Sequence, residues 1–137
     1  MWFPRFFISE FSFTSNFLIH RFCIHHSHAH KSKFRAPEEY AYEVENEMID
    51  IYSMGNIFYA IIAGDMPYEG TKEKEAQKKV REGDRPKIPD DVLNSNDFAI
   101  QAIISATKRC WEQNPKNRPS AAVIRDELKA VMDRMQQ

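Results

Sequence analysis

The stretch Met-Ile-Asp-Ile-Tyr-Ser-Met-Gly-Asn-Ile-Phe-Tyr-Ala-Ile-Ile, from Met48 to Ile62, constrains this chain more than any other. Ten of its fifteen residues are large and apolar or aromatic. At a helical repeat of about 100° per residue they spread over almost the whole circumference, and a helix apolar all round is either buried in a domain or crosses a membrane. Fifteen residues reach only ~22 Å, short of the ~30 Å hydrocarbon core. Asp50, Ser53 and Asn56 also interrupt the run. The stretch therefore reads as a central buried helix, with Asp50 at the positive end of its dipole and Gly64 as a left-handed cap.

A chain of 137 residues has room for one domain with a modest core. Its formal net charge of -1 offers nothing to nucleic acid or to an acidic membrane surface. Cys23 and Cys110 are too few and too far apart for a disulfide framework or a zinc ligand set, which fits a reducing, cytoplasmic compartment. Composition shifts at about Lys31: residues 1–30 hold seven of the ten Phe and all five His. That divides the chain into an aromatic, His-rich segment at 1–30, read as poorly ordered, and a domain at 31–137.

The first segment lacks the apolar run of about 7–15 residues that a secretory signal needs. Its longest clean stretch is Phe6-Phe7-Ile8, which excludes a membrane span as well. His20, Cys23, His25, His26, His28 and His30 are possible metal ligands by type. Structural zinc, however, needs two ligand pairs separated by a folding loop, and these six fall within eleven residues. The tract is read as adventitious, with no metal site.

Beyond Lys31 the pattern is helical. Pro37 opens a turn of helix with Glu38 and Glu39 in its first turn. An acidic linker (Glu43, Glu45, Glu47) leads into the apolar helix, and Asp65 to Gly70 form a loop. Thr71 is placed as the cap of a helix from Lys72 to Glu82 that Gly83 ends. With only Ala76 and Val80 apolar and four apart, that helix is a solvated surface element or a docking face for another protein. Arg85 to Pro89 is extended because each proline disfavours the helical region for its predecessor. Ser95 or Asn96 is placed as the cap of the next helix, with Phe98, Ala102, Ala106 and Cys110 on a wide buried face beside Ile103, Thr107 and Trp111. After Pro115, Pro119-Ser120 opens an amphipathic last helix with Ile124, Leu128, Val131 and Met135 on one side.

Three of these pieces, in order, resemble the C-terminal lobe of eukaryotic protein kinases. Arg35-Ala36-Pro37-Glu38 matches the A-P-E motif that closes the activation segment. Asp50-Ile-Tyr-Ser-Met-Gly55 is similar to the D-x-W-S-x-G start of the buried central helix, with Tyr52 in place of Trp. Cys110-Trp-Glu-Gln-Asn-Pro-Lys-Asn-Arg-Pro-Ser120 resembles the C-W-x-x-x-P-x-x-R-P-[ST] motif before the last helix. The resemblance covers about Lys33 to Met132. Lys33-Phe34 and the Cys-Trp pair are similar to the tyrosine-kinase-like branch.

The resemblance implies a mainly α fold, a helical C-lobe around one buried central helix, without the N-lobe sheet. It also implies that Glu38 pairs with Arg118 and that Asp50 anchors the catalytic loop; without it, Glu38 and Arg118 would read as ordinary surface charges and Asp50 as a helix N-terminal acid. Family members use ATP and Mg²⁺ to phosphorylate Ser, Thr or Tyr on proteins.

The catalytic parts are not legible here. The four glycines, at 55, 64, 70 and 83, make no G-x-G-x-x-G, and there is no V-A-I-K stretch. His20-Arg21-Phe22 has Phe where H-R-D carries its acid, and it stands too close to Ala36 for a metal motif and an activation loop to fit between. Glu10-Phe11-Ser12 is a degenerate match to D-F-G, with Glu10 in the position of the metal ligand, and would supply one catalytic element of five. The expectation is a partial kinase domain, inactive alone, with no catalytic residue, cofactor or metal site of its own. Two alternatives stand beside it: a non-catalytic interaction module that engages a protein through the 72–82 helix and the 65–70 loop, and an incomplete gene product whose residues 1–30 are not genuine coding sequence.

Overall fold

The computed structural model describes residues 33–41 and 46–136. Glu10, the His-rich tract, His20-Arg21-Phe22, Glu43 and Glu45 lie outside them. The described residues hold six α-helices and one 3-10 turn, and no strand. In chain order the helices are α1 (Pro37–Tyr40), α2 (Met48–Ala63), α3 (Glu73–Glu82), α4 (Asp90–Leu93), α5 (Phe98–Cys110) and α6 (Ala121–Met135), with the 3-10 turn at Pro115–Asn117 between the last two. The domain is mainly α, as its periodicity and motifs require.

Helix α2 is the axis. It packs along α5, which in turn carries α6, while α1 rests on α3. Close approach of α2 and α5 depends on Gly55: a Cβ there would stand 2.8 Å from Cδ1 of Trp111 and 2.9 Å from Cβ of Cys110. Contacts that short force the helices apart, so only a hydrogen fits. Two apolar clusters meet at α2. Tyr52 and Tyr59 join Ala36, Tyr68, Ala76, Val80, Ile88, Ile104 and Trp111. Ile51 joins Ala106, Cys110 and Ile124. The Tyr59 and Trp111 rings meet at 5.5 Å between centroids, tilted by 38°, a favourable aromatic geometry.

The helix ends follow local chemistry. Gly64 and Gly83 adopt left-handed φ values of 69° and 93° and close α2 and α3. The Ser120 hydroxyl caps α6 by accepting from the Val123 amide. Asp97, not Ser95 or Asn96, is the cap of α5 and accepts from the amides of Ala99 and Ile100. Lys72, not Thr71, is the residue before α3, and it contributes no side-chain cap.

Two further expectations are corrected. First, α2 is not buried all round. Its buried residues Ile51, Tyr52, Gly55, Asn56 and Tyr59 form one stripe, while Asp50 is exposed and Ile61 is 46% exposed. The apolar count predicted burial all round, but full burial is confined to that stripe, while Met48, Ile49, Met54, Phe58, Ile62 and Ala63 are only half-buried against the two clusters. Second, Phe98 does not belong to the buried face of α5: it is 80% exposed. It is the first residue of the helix, while Ile100 and Ile104, further along α5, pack into the core. Arg85 to Pro89 lies outside any helix, as the prolines require, and the single turn of α4 follows it from Asp90.

Candidate functional site

The residues singled out by sequence gather where α1, the start of α2 and the segment before α6 meet. Pro37 is the first residue of α1 and, like Ala36, is buried. The Ala36 amide donates to Oε2 of Glu39 at 2.6 Å, which satisfies one of the otherwise orphaned donors of a helix start. Arg35 is half-buried, its Nε 3.9 Å from Oε1 of Glu39.

Glu38 and Arg118, eighty residues apart, form a two-pronged ion pair. Nη1 of Arg118 donates to Oε1 of Glu38 at 2.5 Å, and Nη2 donates to Oε2 at 2.9 Å. The side chains are 4% and 0% exposed respectively. The guanidinium also donates to the Glu112 carbonyl through Nε (2.9 Å) and to the Met48 carbonyl through Nη1 (2.8 Å). One side chain thus ties α1, the start of α2 and the loop after α5 together. A planar, permanently charged fork suits this position, and a lysine could not reproduce it.

Tyr52 completes the junction. The Arg118 guanidinium stands 5.1 Å from its ring centroid and that of Arg85 stands 5.2 Å away, both within cation–π range. Burial pushes the Tyr52 hydroxyl up to about 12, against the opposing pull of the two arginines. Arg85 is itself pinned, donating to the carbonyls of Trp111 (3.0 Å) and Asp84 (2.8 Å) and to Oε1 of Gln113 (2.6 Å). Burial likewise raises the Cys110 thiol to about 11, so it stays protonated and unreactive at neutral pH.

A second tie, which the sequence reading passed over, runs through Asn56. Its Nδ2 donates to the Phe34 carbonyl at 2.9 Å, and its Oδ1 accepts from Nε1 of Trp111 at 2.9 Å. The residue is 2% exposed. An amide inside an apolar helix was the available signal, since a buried amide must find partners for both ends. Lys33 adds a third tie by donating to the Tyr68 carbonyl at 3.2 Å. Tyr68 has φ 58°, a left-handed conformation that non-glycine residues rarely adopt. Its hydroxyl donates to the Asp84 carbonyl at 2.7 Å, so both ends of the strained residue are held. The resemblance marked Lys33 by type without this role, and nothing in the local sequence pointed to Arg85 or Tyr68, because these ties cross long sequence gaps.

Asp50, the remaining sequence candidate, lies in the first turn of α2 and is exposed. The structure does not bring it to the Glu38–Arg118 junction. Among the described residues no group of three His, Cys, Asp or Glu side chains could hold a metal ion, and no helix is long and apolar enough to cross a membrane.

Residues 7–128 match the family model for protein tyrosine and serine/threonine kinases. The match begins inside the aromatic, His-rich segment. A probable LIM domain-containing serine/threonine-protein kinase of Dictyostelium discoideum is 33% identical over 102 residues, which are 74% of this chain and 10% of that protein. The dual specificity protein kinase pyk3 of the same organism is 35% identical over 100 residues, 72% of this chain and 7% of its own length. The tyrosine-protein kinase Srms of Mus musculus is 28% identical over 104 residues, 75% of this chain and 20% of its own. The chain thus spans a fifth or less of each of these three relatives. It belongs to the protein tyrosine and serine/threonine kinase family.

Proposed function

We propose that the described residues are the structural half of a kinase catalytic unit, the helical lobe that holds the end of the activation segment, and that the 137-residue chain alone does not transfer phosphate. The observation that carries this reading is the buried Glu38–Arg118 fork, which fastens Arg35-Ala36-Pro37-Glu38 to the base of the last helix. A segment fixed at its exit presents a rigid floor on which a protein substrate can be positioned.

The family's cofactors, ATP and Mg²⁺, do not fit the residues described. Phosphoryl transfer needs a glycine-rich cover for the phosphates and acidic ligands for the metal. Gly64, Gly70 and Gly83 sit in separate turns, and Gly55 is packed against Trp111. Asp50 lies exposed on α2 and belongs to no group of three His, Cys, Asp or Glu side chains that could hold a metal among the described residues. Glu10 remains the candidate metal-motif acid of the first segment, supported only by its spacing from Glu38. The relatives are named as serine/threonine, dual specificity and tyrosine kinases, so the hydroxyl preferred by an intact enzyme does not follow from them.

The test is direct. The purified chain, incubated with Mg²⁺ and γ-labelled ATP, is expected to take up no label and to show no saturable nucleotide binding. ATP-dependent labelling that disappears when Glu10 is changed to Gln would overturn the reading and make the first segment part of a working site.

A second reading is favoured by α3. Ala76 and Val80 anchor it at full burial, while Lys72 and Lys78 remain exposed beside the held, strained loop at 65–70. This is the face through which a protein substrate or partner would engage the lobe. Changing Lys72, Lys78 and Lys79 to Glu is expected to weaken such an association, and unchanged association would remove the face from consideration.

A further inference from the structure

We infer that the end of the domain formed by α4 and the start of α5 is a docking surface for a basic peptide segment that carries an apolar side chain, presented by a partner protein. Its centre is Phe98. An aromatic side chain 80% exposed is an anomaly in a domain that buries Tyr52, Tyr59, Tyr68 and Trp111. Leu93, also exposed, stands at the same end, because Gln101, one turn along α5 from Phe98, donates to the Leu93 carbonyl at 3.1 Å and to the Ser95 carbonyl at 2.7 Å.

These bonds also make the surface rigid. Asn94 donates to the Asp90 carbonyl at 2.7 Å, the Asp97 amide to Oγ of Ser95 at 3.2 Å, and Asp97 caps the helix that begins with Phe98. Val92 and Ile100 pack inward against the core and hold the loop from below. Phe98 is therefore displayed by a fixed backbone. An aromatic anchor presented in this way binds without first paying to order a loop.

Charge selects the occupant. Between Lys87 and Lys108 the chain carries Asp90, Asp91 and Asp97 and no Lys or Arg. All three carboxylates are exposed, and the Asp90 carboxylate has Lys87 at 2.9 Å, which leaves Asp91 and Asp97 as the net negative rim beside Phe98. Such a rim repels phosphodiesters and anionic lipid and attracts Lys or Arg. A guanidinium over the open face of Phe98 gains from the ring as well as from the rim. The fitting ligand is an apolar side chain flanked by arginines, which meets Leu93 and Phe98 with its centre and Asp91 and Asp97 with its edges.

The experiment uses the full chain and two fluorescein-labelled peptides about twelve residues long, one with Leu between arginines and one with Glu in place of each Arg, read by fluorescence anisotropy. The arginine peptide is expected to bind and the glutamate peptide not. Phe98→Ser should weaken binding tenfold or more while leaving the helical circular dichroism unchanged. The double change Asp91→Asn with Asp97→Asn should weaken binding severalfold and flatten its salt dependence between about 50 and about 300 mM; Asn still caps α5, so folding is kept. Equal affinity for the two peptides, or binding indifferent to both variants, would overturn the inference. So would a dimer of the free chain that Phe98→Ser dissolves, since the occupant would then be a second copy of this chain.

Discussion

The two sides of α2 invert what hydropathy suggests. Its packed stripe holds an amide, Asn56, and faces a guanidinium, Arg118, both almost wholly buried. Its other side leaves Ile61 46% exposed, on the same face as the exposed Asp50 about three turns away. Polar groups lie inside because every buried side-chain nitrogen and oxygen among the described residues has a partner. Asn56 joins Phe34 to Trp111, and Arg118 joins Glu38, Met48 and Glu112. A buried polar group with every bond made costs little, and one left unmade costs a great deal. The packed side therefore works as a junction as much as a core, and its vulnerability lies in its polar ties.

The largest effect expected from breaking that side comes from Arg118→Leu. It leaves the Glu38 carboxylate buried without its partner, a change that typically costs about 3–5 kcal/mol. Urea denaturation followed by circular dichroism should show it, and adding Glu38→Gln to the same chain should recover part of the loss. Recovery matters because the pair itself is weak evidence for net stability.

Raising the pH acts on the same side. The Cys110 thiol moves from 9.0 to about 11 and the Tyr52 hydroxyl from 10.0 to about 12, each because burial disfavours the charged form. Protons leave the unfolded chain first. Their contribution to stability is whole below pH 9 and declines as the pH rises towards 11 and 12. Denaturation midpoints measured from pH 8 upward should fall over that window, and the Cys110→Ala variant should begin its fall about one pH unit later, at the tyrosine value.

Asn56→Leu is expected to cost about 1–3 kcal/mol, because the Trp111 indole donor and the Phe34 carbonyl both lose their partner. Its signature is a shift in Trp111 fluorescence together with faster amide exchange at 33–36. Loss of stability without faster exchange there would reduce Asn56 to a packing residue. The smallest effect belongs to the open side. Ile61→Lys should change stability by less than about 0.5 kcal/mol, as surface substitutions usually do. A loss of 2 kcal/mol or more would mean that this side of α2 is covered in the folded chain, and the contrast between the two sides would fail.

Much of the fold was legible in the sequence. The apolar run marked α2, the glycines at 64 and 83 marked two helix ends, and Ser120 marked the start of α6. These are local effects, set by periodicity and by the orphaned amides and carbonyls of a helix end. Phe98 shows the limit of that reasoning. Four-residue spacing placed it on the buried face of α5 with Ala102, Ala106 and Cys110, yet periodicity carries no information about where along its length a helix meets its neighbour. The cap of α5 moved by a residue or two for a related reason: Ser95, Asn96 and Asp97 are all good caps, and the bonds that Gln101 makes to Leu93 and Ser95 decide among them.

The site divides along the same line. The motifs named Glu38 and Arg118, because an acid after Ala-Pro and an arginine before Pro-Ser are unusual enough to be seen in one dimension. The roles of Lys33, Asn56, Arg85 and Tyr68 were visible only once the chain was folded, since each acts on a carbonyl or ring that lies 22 to 55 residues away or, for Tyr68, holds a strained turn. By itself the sequence determined which segments are helical, where most of them end and which family they belong to, because those depend on neighbours along the chain. Which side of α2 is packed, which polar groups go inside it and which aromatic is left on the surface were decided only in the tertiary structure. Burial is a property of surfaces brought together, and hydrogen bonds between distant residues have no periodicity to reveal them.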